Sequence, residues 1–406
     1  MTEPVYIAGV SMTPFGIHED KTVSDLTGWA VTEALEDAGI ATGDVDAAFY
    51  GNTTHGALQG QIMVSGQLAL RAAGFEGIPM YNVENACATG STAFNLAVNA
   101  VRAGSADVAL AVGAEKMNIG DKARSMTVFD GAYDVAAPEK LEAFLRSLGA
   151  EVEGDLGSRS IFMDIYGAWA RGHMDAYGTT QAQIAAVSSK NHGHSVHNER
   201  AHFRKAMSVE EILAARPLGF PLTVPMCSPI TDGAAAAVVG TAEALDRLGV
   251  ERRVEVKASV VGTGVVREQG DYSKHLARLA GRRAYEEAGV SPTDVSVAEV
   301  HDATAFAEIL LPELLDFCGE GEGGKMAESG DSTIGGRLPI NPSGGLESKG
   351  HPLGATGLGQ IFELTTQLRG EAGVRQVEGA RIALAENGGG FLDGEEAVCV
   401  VTILGG

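Results

Sequence analysis

Two hydrophobic patterns alternate along the chain. Short unbroken apolar runs, such as Val108–Val112 and Ile382–Ala385, predict strands that are covered on both faces, as in sheets packed between helices. Stretches with helical spacing of apolar residues, such as Ala30–Ala38 and Ala280–Ala288, predict amphipathic helices that stop at a glycine. Together these patterns predict a protein of the α/β class.

The pattern occurs twice. Ala30–Gly39 matches Ala280–Gly289, and each copy continues into a short predicted strand. A second shared unit follows, in which Ala88–Gly90 and Ala355–Gly357 both read Ala-Thr-Gly and both precede a predicted helix. Repetition of a whole supersecondary block predicts two duplicated βαβαβ halves rather than a solenoid of short repeats.

The two halves are predicted to span residues 1–252 and 253–406. A segment of about residues 118–226 has no counterpart in the second half and is interpreted as an insertion. Its helix-like stretches, Gln181–Lys190 and Ser208–Ala215, favour a folded cap over the active site rather than a linker.

Composition and charge argue against several kinds of binding partner. The chain has 406 residues and a formal net charge of -23, which argues against nucleic acid and means that a phosphate-bearing ligand needs a local basic patch. No apolar run approaches the length of a membrane span and no basic leader begins the chain, so we expect no membrane and a cytoplasmic location. The wide spacing of the four cysteines argues against a zinc site or a disulfide framework.

Cys87 is the first candidate for chemistry. It lies just ahead of a helix predicted from about Thr92 to Ala103, where the helix dipole and free backbone N–H groups favour the thiolate. The alternative is a small buried hydrophobic residue. What favours the nucleophile is the pair of histidines far downstream.

Those histidines are His301, in His301-Asp302 after a predicted strand, and His351, in Gly350-His351-Pro352. A pseudo-twofold relation between the halves would bring the two Ala-Thr-Gly helix starts, and with them Cys87 and His351, into one pocket. A thiolate beside an imidazole suits attack on a thioester carbonyl. A second histidine group in the insertion is expected to lie on a solvated surface rather than to bind metal, and it comprises His192, His194, His197 and His202.

With these residues the chain resembles the thiolase superfamily, in particular its sterol-carrier-protein-type branch, also called lipid-transfer-protein thiolases. The resemblance is carried by Tyr6–Val10, Gly113–Met117, Thr231–Ala237 and Asn341–Gly357. It implies a thiolase fold, in which the two halves form a five-layer αβαβα core with a loop-domain insertion.

The resemblance also implies roles for individual residues. Cys87 would accept the acyl group, and His351 would be the base that activates it. His301 and His351 would form one oxyanion hole, and the backbone N–H groups of Cys87 and Gly389 the other. His173 and Met174 would lie near the acyl or pantetheine chain. No metal and no permanently bound cofactor are implied, because coenzyme A esters are the substrates.

One departure from the family stands out. Its members use a second cysteine to move a proton at the α-carbon of the acyl-CoA, and the two customary positions are here Ala303 and Asn387. Either another group moves the proton, with His301 and Glu386 as candidates, or the substrate stabilises its own carbanion. The third account is a site that has kept acyl transfer and lost efficient Claisen chemistry. We favour the first two together.

The expected activity is thiolytic cleavage of a 3-oxoacyl-CoA, or the reverse condensation, through an acyl-Cys87 intermediate. Branched, aromatic or steroid-derived acyl groups are candidates, with benzoylsuccinyl-CoA among those to test first. The family implies a homodimer and suggests a small zinc-ribbon/OB-fold subunit that helps to bind acyl-CoA. Two alternatives stay open: a ketosynthase-like decarboxylating condensing enzyme and a non-catalytic acyl-CoA-binding subunit.

Overall fold

The structure is a computed structural model that describes residues 3–149, 160–268 and 270–406. The helices are α1 (Val23–Ala38), α2 (His55–Gln59), α3 (Ser65–Ala72), α4 (Thr89–Arg102), α5 (Lys122–Met126), α6 (Pro138–Ser147), α7 (Ile161–Tyr177), α8 (Gln181–Ser195), α9 (Val209–Leu213), α10 (Ala242–Arg247), α11 (Leu276–Ala288), α12 (Ala307–Leu314), α13 (Gly323–Ser329), α14 (Gly345–Lys349) and α15 (Thr356–Leu368). The strands are β1 (Val5–Met12), β2 (Ala47–Gly51), β3 (Met80–Val83), β4 (Val108–Glu115), β5 (Pro217–Gly219), β6 (Leu222–Thr223), β7 (Gly233–Thr241), β8 (Val254–Gly262), β9 (Val297–Glu299), β10 (Ile382–Gly389) and β11 (Val398–Gly405).

The main sheet has the strand order β3-β2-β4-β7-β1-β8-β11-β10-β9, and β5 and β6 form a separate hairpin. The first five strands belong to the N-terminal half and the last four to the C-terminal half. The halves are joined by a short antiparallel contact in which Tyr6 and Ile7 pair with Glu255 and Val254. In each half the helix-linked strands run parallel, β2 with β4 and β9 with β10, while β7 and β11 run antiparallel to their neighbours.

Helices and sheet halves alternate in five layers, as the thiolase fold implies. Helix α1 packs on β1 and β7 at one outer face, and α11 packs on β8 and β11 at the other. Between the two sheet halves, α4 and α15 contact each other and strands of both halves. One apolar core surrounds the central helices, another lies under each outer helix layer, and the first turns of both central helices are buried. The prediction of a five-layer αβαβα core is confirmed.

The duplication predicted from sequence is visible in the local geometry. Helices α1 and α11 both end at a glycine in the left-handed conformation, Gly39 with φ +71° and Gly289 with φ +66°. Each glycine leads through a short 3₁₀ turn into a strand, β2 in one half and β9 in the other. Glycine takes this conformation without steric cost, which explains why the same residue ends both copies.

The described part of the insertion, residues 118–149 and 160–226, folds into helices α5 to α9 and the β5–β6 hairpin. The stretch expected over Gln181–Lys190 is longer, running to Ser195, and begins with a capping box between Thr180 and Gln183. Apolar residues of α7 and α8 share a core with α12 of the C-terminal half. None of the helices in the described ranges combines the length and hydrophobicity that crossing a bilayer requires.

Candidate active site

Cys87 lies in a 3₁₀ turn, Ala86–Ala88, that leads directly into α4. The turn is tight: Ala86 has φ +49°, a conformation that is uncommon for a residue with a side chain. Its backbone is held by Glu84, which accepts from the Ala86 N–H at 2.6 Å, and by Thr89, which accepts from the Asn85 N–H at 2.8 Å. These bonds fix the turn that carries the thiol.

His351 comes from the loop between α14 and α15. Its backbone N–H donates to the Thr231 hydroxyl at 2.8 Å, and its ring Nδ1 lies 2.7 Å from the Thr356 hydroxyl oxygen. Thr356 donates its own hydroxyl hydrogen to the Pro352 carbonyl, so its oxygen accepts the hydrogen on Nδ1. The His351 ring is therefore the Nδ1–H tautomer, and its Nε2 keeps a free lone pair.

Buried charged residues hold the loop that carries His351 in place. Lys349 donates to Glu299 of β9 at 3.0 Å, and both side chains are completely buried. Glu299 also accepts from the Ser343 hydroxyl at 2.7 Å, and Asn341 accepts from the Val300 N–H at 2.9 Å. The polar residues of the Asn341–Gly357 string thus tie the loop to the end of β9.

His301 follows β9 and has the opposite tautomer. The side-chain amide of Asn387 donates to His301 Nδ1 at 2.8 Å, and the amide oxygen of Asn387 accepts from the Ser91 hydroxyl at 2.6 Å. Nδ1 of His301 is therefore an acceptor, and in a neutral ring the hydrogen sits on Nε2. Asn387, predicted only as the place where a cysteine is missing, is the residue that orients His301.

The structure brings Cys87, His301 and His351 together: the sulfur and one ring nitrogen of each histidine lie within 4.8 Å of one another. The two rings meet edge to face with their centroids 5.1 Å apart. One imidazole thus offers a lone pair and the other an N–H to the same space. That difference suits a proton acceptor and a hydrogen-bond donor, and it argues against a metal site, which needs a lone pair from both rings.

All three groups are neutral at rest. Burial, with smaller contributions from the carboxylates of Glu115 and Glu84, raises the pKa of the Cys87 thiol to about 12. Burial also lowers the pKa of His301 to about 3 and holds that of His351 well below its usual value. The prediction that the helix start makes Cys87 a thiolate is wrong for the resting state, because desolvation outweighs the N–H groups of Gly390 and Cys87 that lower the pKa of the thiol.

Gly389 lies against the backbone of the Cys87 turn. A Cβ atom at this position would come within 2.6 Å of the Asn85 carbonyl oxygen and 3.1 Å of the Cys87 nitrogen, so only glycine fits. The backbone N–H of the next residue, Gly390, lowers the pKa of the Cys87 thiol. The end of β10 therefore supplies backbone N–H groups beside the thiol, and Gly390 is a neighbour that the sequence did not predict.

These groups open into a cavity of about 1250 Å³. Its walls are mainly apolar, with contributions from Met117, Val128, Phe129, Phe162, Met163, Tyr166, Met207 and Leu218. Three exposed basic residues, Lys122, Lys205 and Arg216, also line it. The acidic residues Glu19, Glu84, Asp121 and Glu396 line it as well, so the cavity offers individual cationic side chains to a phosphate group rather than a net positive wall.

The two residues predicted to contact the acyl or pantetheine chain lie elsewhere. His173 is buried, and its two ring nitrogens are hydrogen-bonded to Thr179 at 2.9 Å and Glu313 at 3.1 Å. Met174 packs against the core between the insertion and the C-terminal half. Neither is among the described residues that line the cavity, and we correct the prediction for both, because α7 turns Phe162, Met163 and Tyr166 toward the cavity instead.

The second histidine group is also placed differently from the prediction. His192 and His194 are buried rather than solvated, while His197 is exposed. His194 is fixed between the Asn341 carbonyl, at 3.0 Å, and the Ile334 N–H, at 3.2 Å. His192 lines the cavity and contacts the Ser348 hydroxyl at 3.1 Å. The helix α8 turns both rings inward, a feature that residue composition alone does not reveal.

At the two positions of the missing cysteine the surroundings differ. Ala303 lines the cavity, and Cys227, beside it through a bridge between Cys227 and Thr304, lines the cavity as well. Glu386, one of the predicted proton carriers, is not among the described residues that line the cavity. It accepts from the backbone N–H of His301 at 3.1 Å and from the Cys399 thiol at 3.3 Å. A different carboxyl group, that of Glu396, does line the cavity.

Both halves of the chain match family models of known proteins. Residues 5–215 match the family model described as the thiolase N-terminal domain, and residues 258–403 match the thiolase C-terminal domain-like model. The sterol carrier protein 2 of Bos taurus is 39% identical over 402 residues, which cover 94% of this chain and 69% of that protein. The acetyl-CoA acetyltransferase of Methanothermobacter thermautotrophicus is 38% identical, with 95% of this chain and 96% of that protein covered.

Two further similarities concern a relative and a solved structure. The benzoylsuccinyl-CoA thiolase subunit BbsB of Thauera aromatica is 35% identical, with 95% of this chain and 94% of that protein covered. The solved structure described as an Ltp2-ChsH2(DUF35) aldolase has a TM-score of 0.80 at 23% identity, covering 99% of this chain and 97% of that chain. At that identity the solved structure supports the fold alone.

Proposed function

Because the chain belongs to the thiolase family, and to its sterol-carrier-protein-type branch, it is an acyltransferase, and we propose that it cleaves a 3-oxoacyl-CoA through an acyl-Cys87 intermediate or runs the reverse condensation. The observation that carries the proposal is one thiol flanked by two neutral imidazoles of opposite tautomer. Such a trio provides a nucleophile, a base and a hydrogen-bond donor.

In the proposed first step, Nε2 of His351 takes the thiol proton as the Cys87 sulfur attacks the 3-oxo carbonyl carbon. Thiol and imidazole are both neutral at rest, so charge develops only as the new C–S bond forms. The hydrogen bond from His351 Nδ1 to Thr356 stabilises the imidazolium that results. The C2–C3 bond then breaks, which leaves the acyl group on Cys87 and an acyl-CoA enolate.

N–H groups of the site can donate hydrogen bonds to the negative charge that develops on the carbonyl oxygens of the substrate. The Nε2–H of His301, oriented by Asn387, is suited to one oxyanion, and the backbone N–H groups of Cys87 and Gly389 are suited to the other. Removal of one such donor typically costs about 10²- to 10³-fold in rate. A second thiol, that of coenzyme A, finally takes the acyl group from Cys87.

The cavity supports a large acyl-CoA substrate. Its apolar wall suits a pantetheine arm and a bulky acyl group, and Lys122, Lys205 and Arg216 are suited to the phosphates of coenzyme A. We propose branched, aromatic or steroid-derived acyl groups, and benzoylsuccinyl-CoA is named by one relative. Coenzyme A and its esters act as substrates, with no permanently bound cofactor.

We further propose that the protein acts as a homodimer with a small zinc-ribbon/OB-fold subunit. Strand β3 is an edge of the sheet, and Ile62, Met63, Leu68 and Tyr81 on and near it are exposed apolar residues that a second copy would cover. The DUF35 component in the name of the solved neighbour motivates the small subunit. Analytical ultracentrifugation of wild type and Tyr81→Glu tests the dimer: a monomeric wild type contradicts the dimer, and a variant that stays dimeric contradicts this interface.

The proposed activity is tested by a thiolysis screen. Purified protein is mixed with coenzyme A and each of several 3-oxoacyl-CoA esters, with and without a zinc-ribbon protein encoded beside it, and the loss of the ester is followed. We expect cleavage that depends on coenzyme A and disappears in Cys87→Ala. Turnover of malonyl thioesters in place of 3-oxoacyl-CoA would favour the ketosynthase-like alternative, and binding without turnover or acylation would favour a non-catalytic subunit.

A further inference from the structure

The carboxyl group of Glu396 lies on the cavity wall and has no role in the steps proposed for Cys87 and the two histidines. Glu396 directly precedes the Ala397–Val398 entry into β11 and lines the same cavity as Cys87 and His301. Its side chain lies against Gly388: a Cβ atom there would come within 2.9 Å of Glu396 Cγ. Gly388 follows Asn387, one of the two positions that hold the second cysteine in related proteins. Successive side chains of a strand point to opposite faces, so Glu396 meets β10 on the face opposite to the Asn387 side chain and reaches the catalytic groups through the cavity that it lines together with Cys87, His301 and Gly389.

This carboxyl group is also uncommitted. Among the described residues, the only hydrogen bond to it comes from its own backbone N–H. The neighbouring carboxylates have partners: Oε2 of Glu395 accepts from Arg267 and from the Leu276 N–H, each at 3.0 Å, and Glu386 accepts from the His301 backbone N–H and from the Cys399 thiol. No other described residue is hydrogen-bonded to the Glu396 carboxyl group, which leaves it available to a bound substrate.

Its protonation suits transfer in both directions. Burial raises the pKa of Glu396 to about 7, with a smaller contribution from the charge of Glu395. Near neutral pH the group is therefore present both as an acid and as a base, which is the condition that favours general acid–base catalysis. The cavity residue Tyr166 stays protonated, because burial, Glu396 and Cys87 all raise its pKa.

The other groups near the missing cysteine are less suited to this task. His301 uses Nδ1 to accept from Asn387 and presents an N–H to the site, and burial disfavours its charged form. Cys227 lines the cavity, but its thiol turns to the Thr223 carbonyl oxygen at 3.7 Å, and burial raises its pKa far above neutral. Neither is a proton carrier with both forms populated at pH 7.

We propose that Glu396 is the catalytic residue that moves the proton at the α-carbon of the acyl-CoA, in place of the absent second cysteine. In cleavage, the electron pair of the broken C2–C3 bond passes to C2, and the Glu396 carboxylic acid gives its proton to that carbon. Between the two half-reactions, the proton on His351 returns through solvent to the Glu396 carboxylate. His351 then takes the proton of the coenzyme A thiol as the coenzyme attacks acyl-Cys87, and gives it to the departing Cys87 thiolate, so every group returns to its starting state.

The inference rests on the proposed thiolase-type activity, and the test separates the two. Cys87 can acquire the same acyl group from two donors, an acyl-CoA, which needs no α-carbon chemistry, or the matching 3-oxoacyl-CoA, which needs C–C cleavage and protonation of C2. We would use acetyl-CoA with acetoacetyl-CoA and benzoyl-CoA with benzoylacetyl-CoA. Rapid mixing followed by intact-mass spectrometry gives the rate of acylation from each donor.

For Glu396→Gln we expect acylation from the acyl-CoA within a few-fold of wild type, and acylation from the 3-oxoacyl-CoA slowed about 10²- to 10⁴-fold. Glu396→Asp, which keeps the carboxyl group, should recover part of the second rate. Glu19→Gln is the matched control, because it removes a carboxylate from the same cavity at an exposed position and should leave both rates unchanged.

Equal slowing from both donors, or no slowing from either, overturns the role of Glu396. A second readout is the pH profile: the acylation rate from the 3-oxoacyl-CoA should change near pH 7 in wild type, and this inflection should be absent in Glu396→Gln. An inflection that persists in the variant also contradicts the proposal. If wild type gains no acyl mass from any of the four donors, the proposed function itself fails, and the inference fails with it.

Discussion

Thr356→Val tests whether the tautomer of His351 is set by a single hydrogen bond. Valine has nearly the shape of threonine but lacks the hydroxyl oxygen that accepts from His351 Nδ1 at 2.7 Å. Thr356 is completely buried and His351 is 5% exposed, so no water replaces the lost acceptor. The ring then either keeps an unpaired Nδ1–H or moves its hydrogen to Nε2, where it can no longer accept the thiol proton.

The size of the effect follows from the burial. An unpaired buried N–H costs about 1–3 kcal/mol, which corresponds to about a 5- to 150-fold loss of the reactive tautomer. We therefore expect the acylation of Cys87 by an acyl-CoA to slow by about that factor. Rapid mixing and intact-mass spectrometry measure the rate. Thr356→Ser keeps the hydroxyl and should stay within a few-fold of wild type.

Helix α15 offers a matched control in Thr365→Val. Thr365 is equally buried in the same helix, but its hydroxyl has no hydrogen-bond partner within the described chain. This variant should acylate at the wild-type rate and be at least as stable as wild type, because it removes an unsatisfied polar group. If Thr356→Val also acylates at the wild-type rate, the assignment of His351 as an Nδ1–H base is refuted.

Three further predictions concern the packing and charge around the site. Gly389→Ala should slow acylation and lower the free energy of unfolding by about 1–3 kcal/mol, because the new methyl group meets backbone atoms of the Cys87 turn; a variant with wild-type stability and rate contradicts the close contact. Lys349→Met should lower that free energy by about 3–5 kcal/mol in urea unfolding, because it leaves Glu299 charged and unpaired, and adding Glu299→Gln should restore part of it; an additive second loss would refute the pairing. The pKa of Glu396 is raised from 4.5 to about 7 in the folded protein, so between these pH values the unfolded chain binds fewer protons than the folded one, and the stability of wild type falls as the pH rises. The free energy of unfolding of Glu396→Gln relative to wild type should therefore increase by about 1–3 kcal/mol between pH 4.5 and pH 8. Parallel pH profiles of the two proteins would contradict this.

Much of the fold could be predicted because its signals are local. The glycine stops at Gly39 and Gly289 and the apolar runs of β4 and β10 each depend on a few consecutive residues, and their repetition reveals the duplication. The meeting of Cys87 with His351 followed from that duplication, since related helix starts converge in one pocket. The boundaries moved by a few residues, as in α4, which begins at Thr89 rather than near Thr92.

The rest depended on which way side chains turn, and sequence spacing carries little of that information. His173 was expected near the substrate but is bonded to Glu313, and the polar-looking segment with His192 and His194 is buried because α8 packs against the loop before His351. Glu396 lies in the segment between β10 and β11, six residues after Gly390, and belongs to none of the motifs that carry the resemblance. Its place on the cavity wall follows only from the packing of its side chain on Gly388.

The central claim is that Cys87 accepts an acyl group, and the most direct measurement locates that group. Protein treated with a 3-oxoacyl-CoA that it cleaves would be quenched in acid, digested, and analysed by peptide mass spectrometry. We predict the acyl mass on the peptide that contains Cys87, no adduct in Cys87→Ala, and slower formation in His351→Ala. An acyl adduct that persists in Cys87→Ala, or that maps to Cys227 or Cys318 instead, would contradict the account.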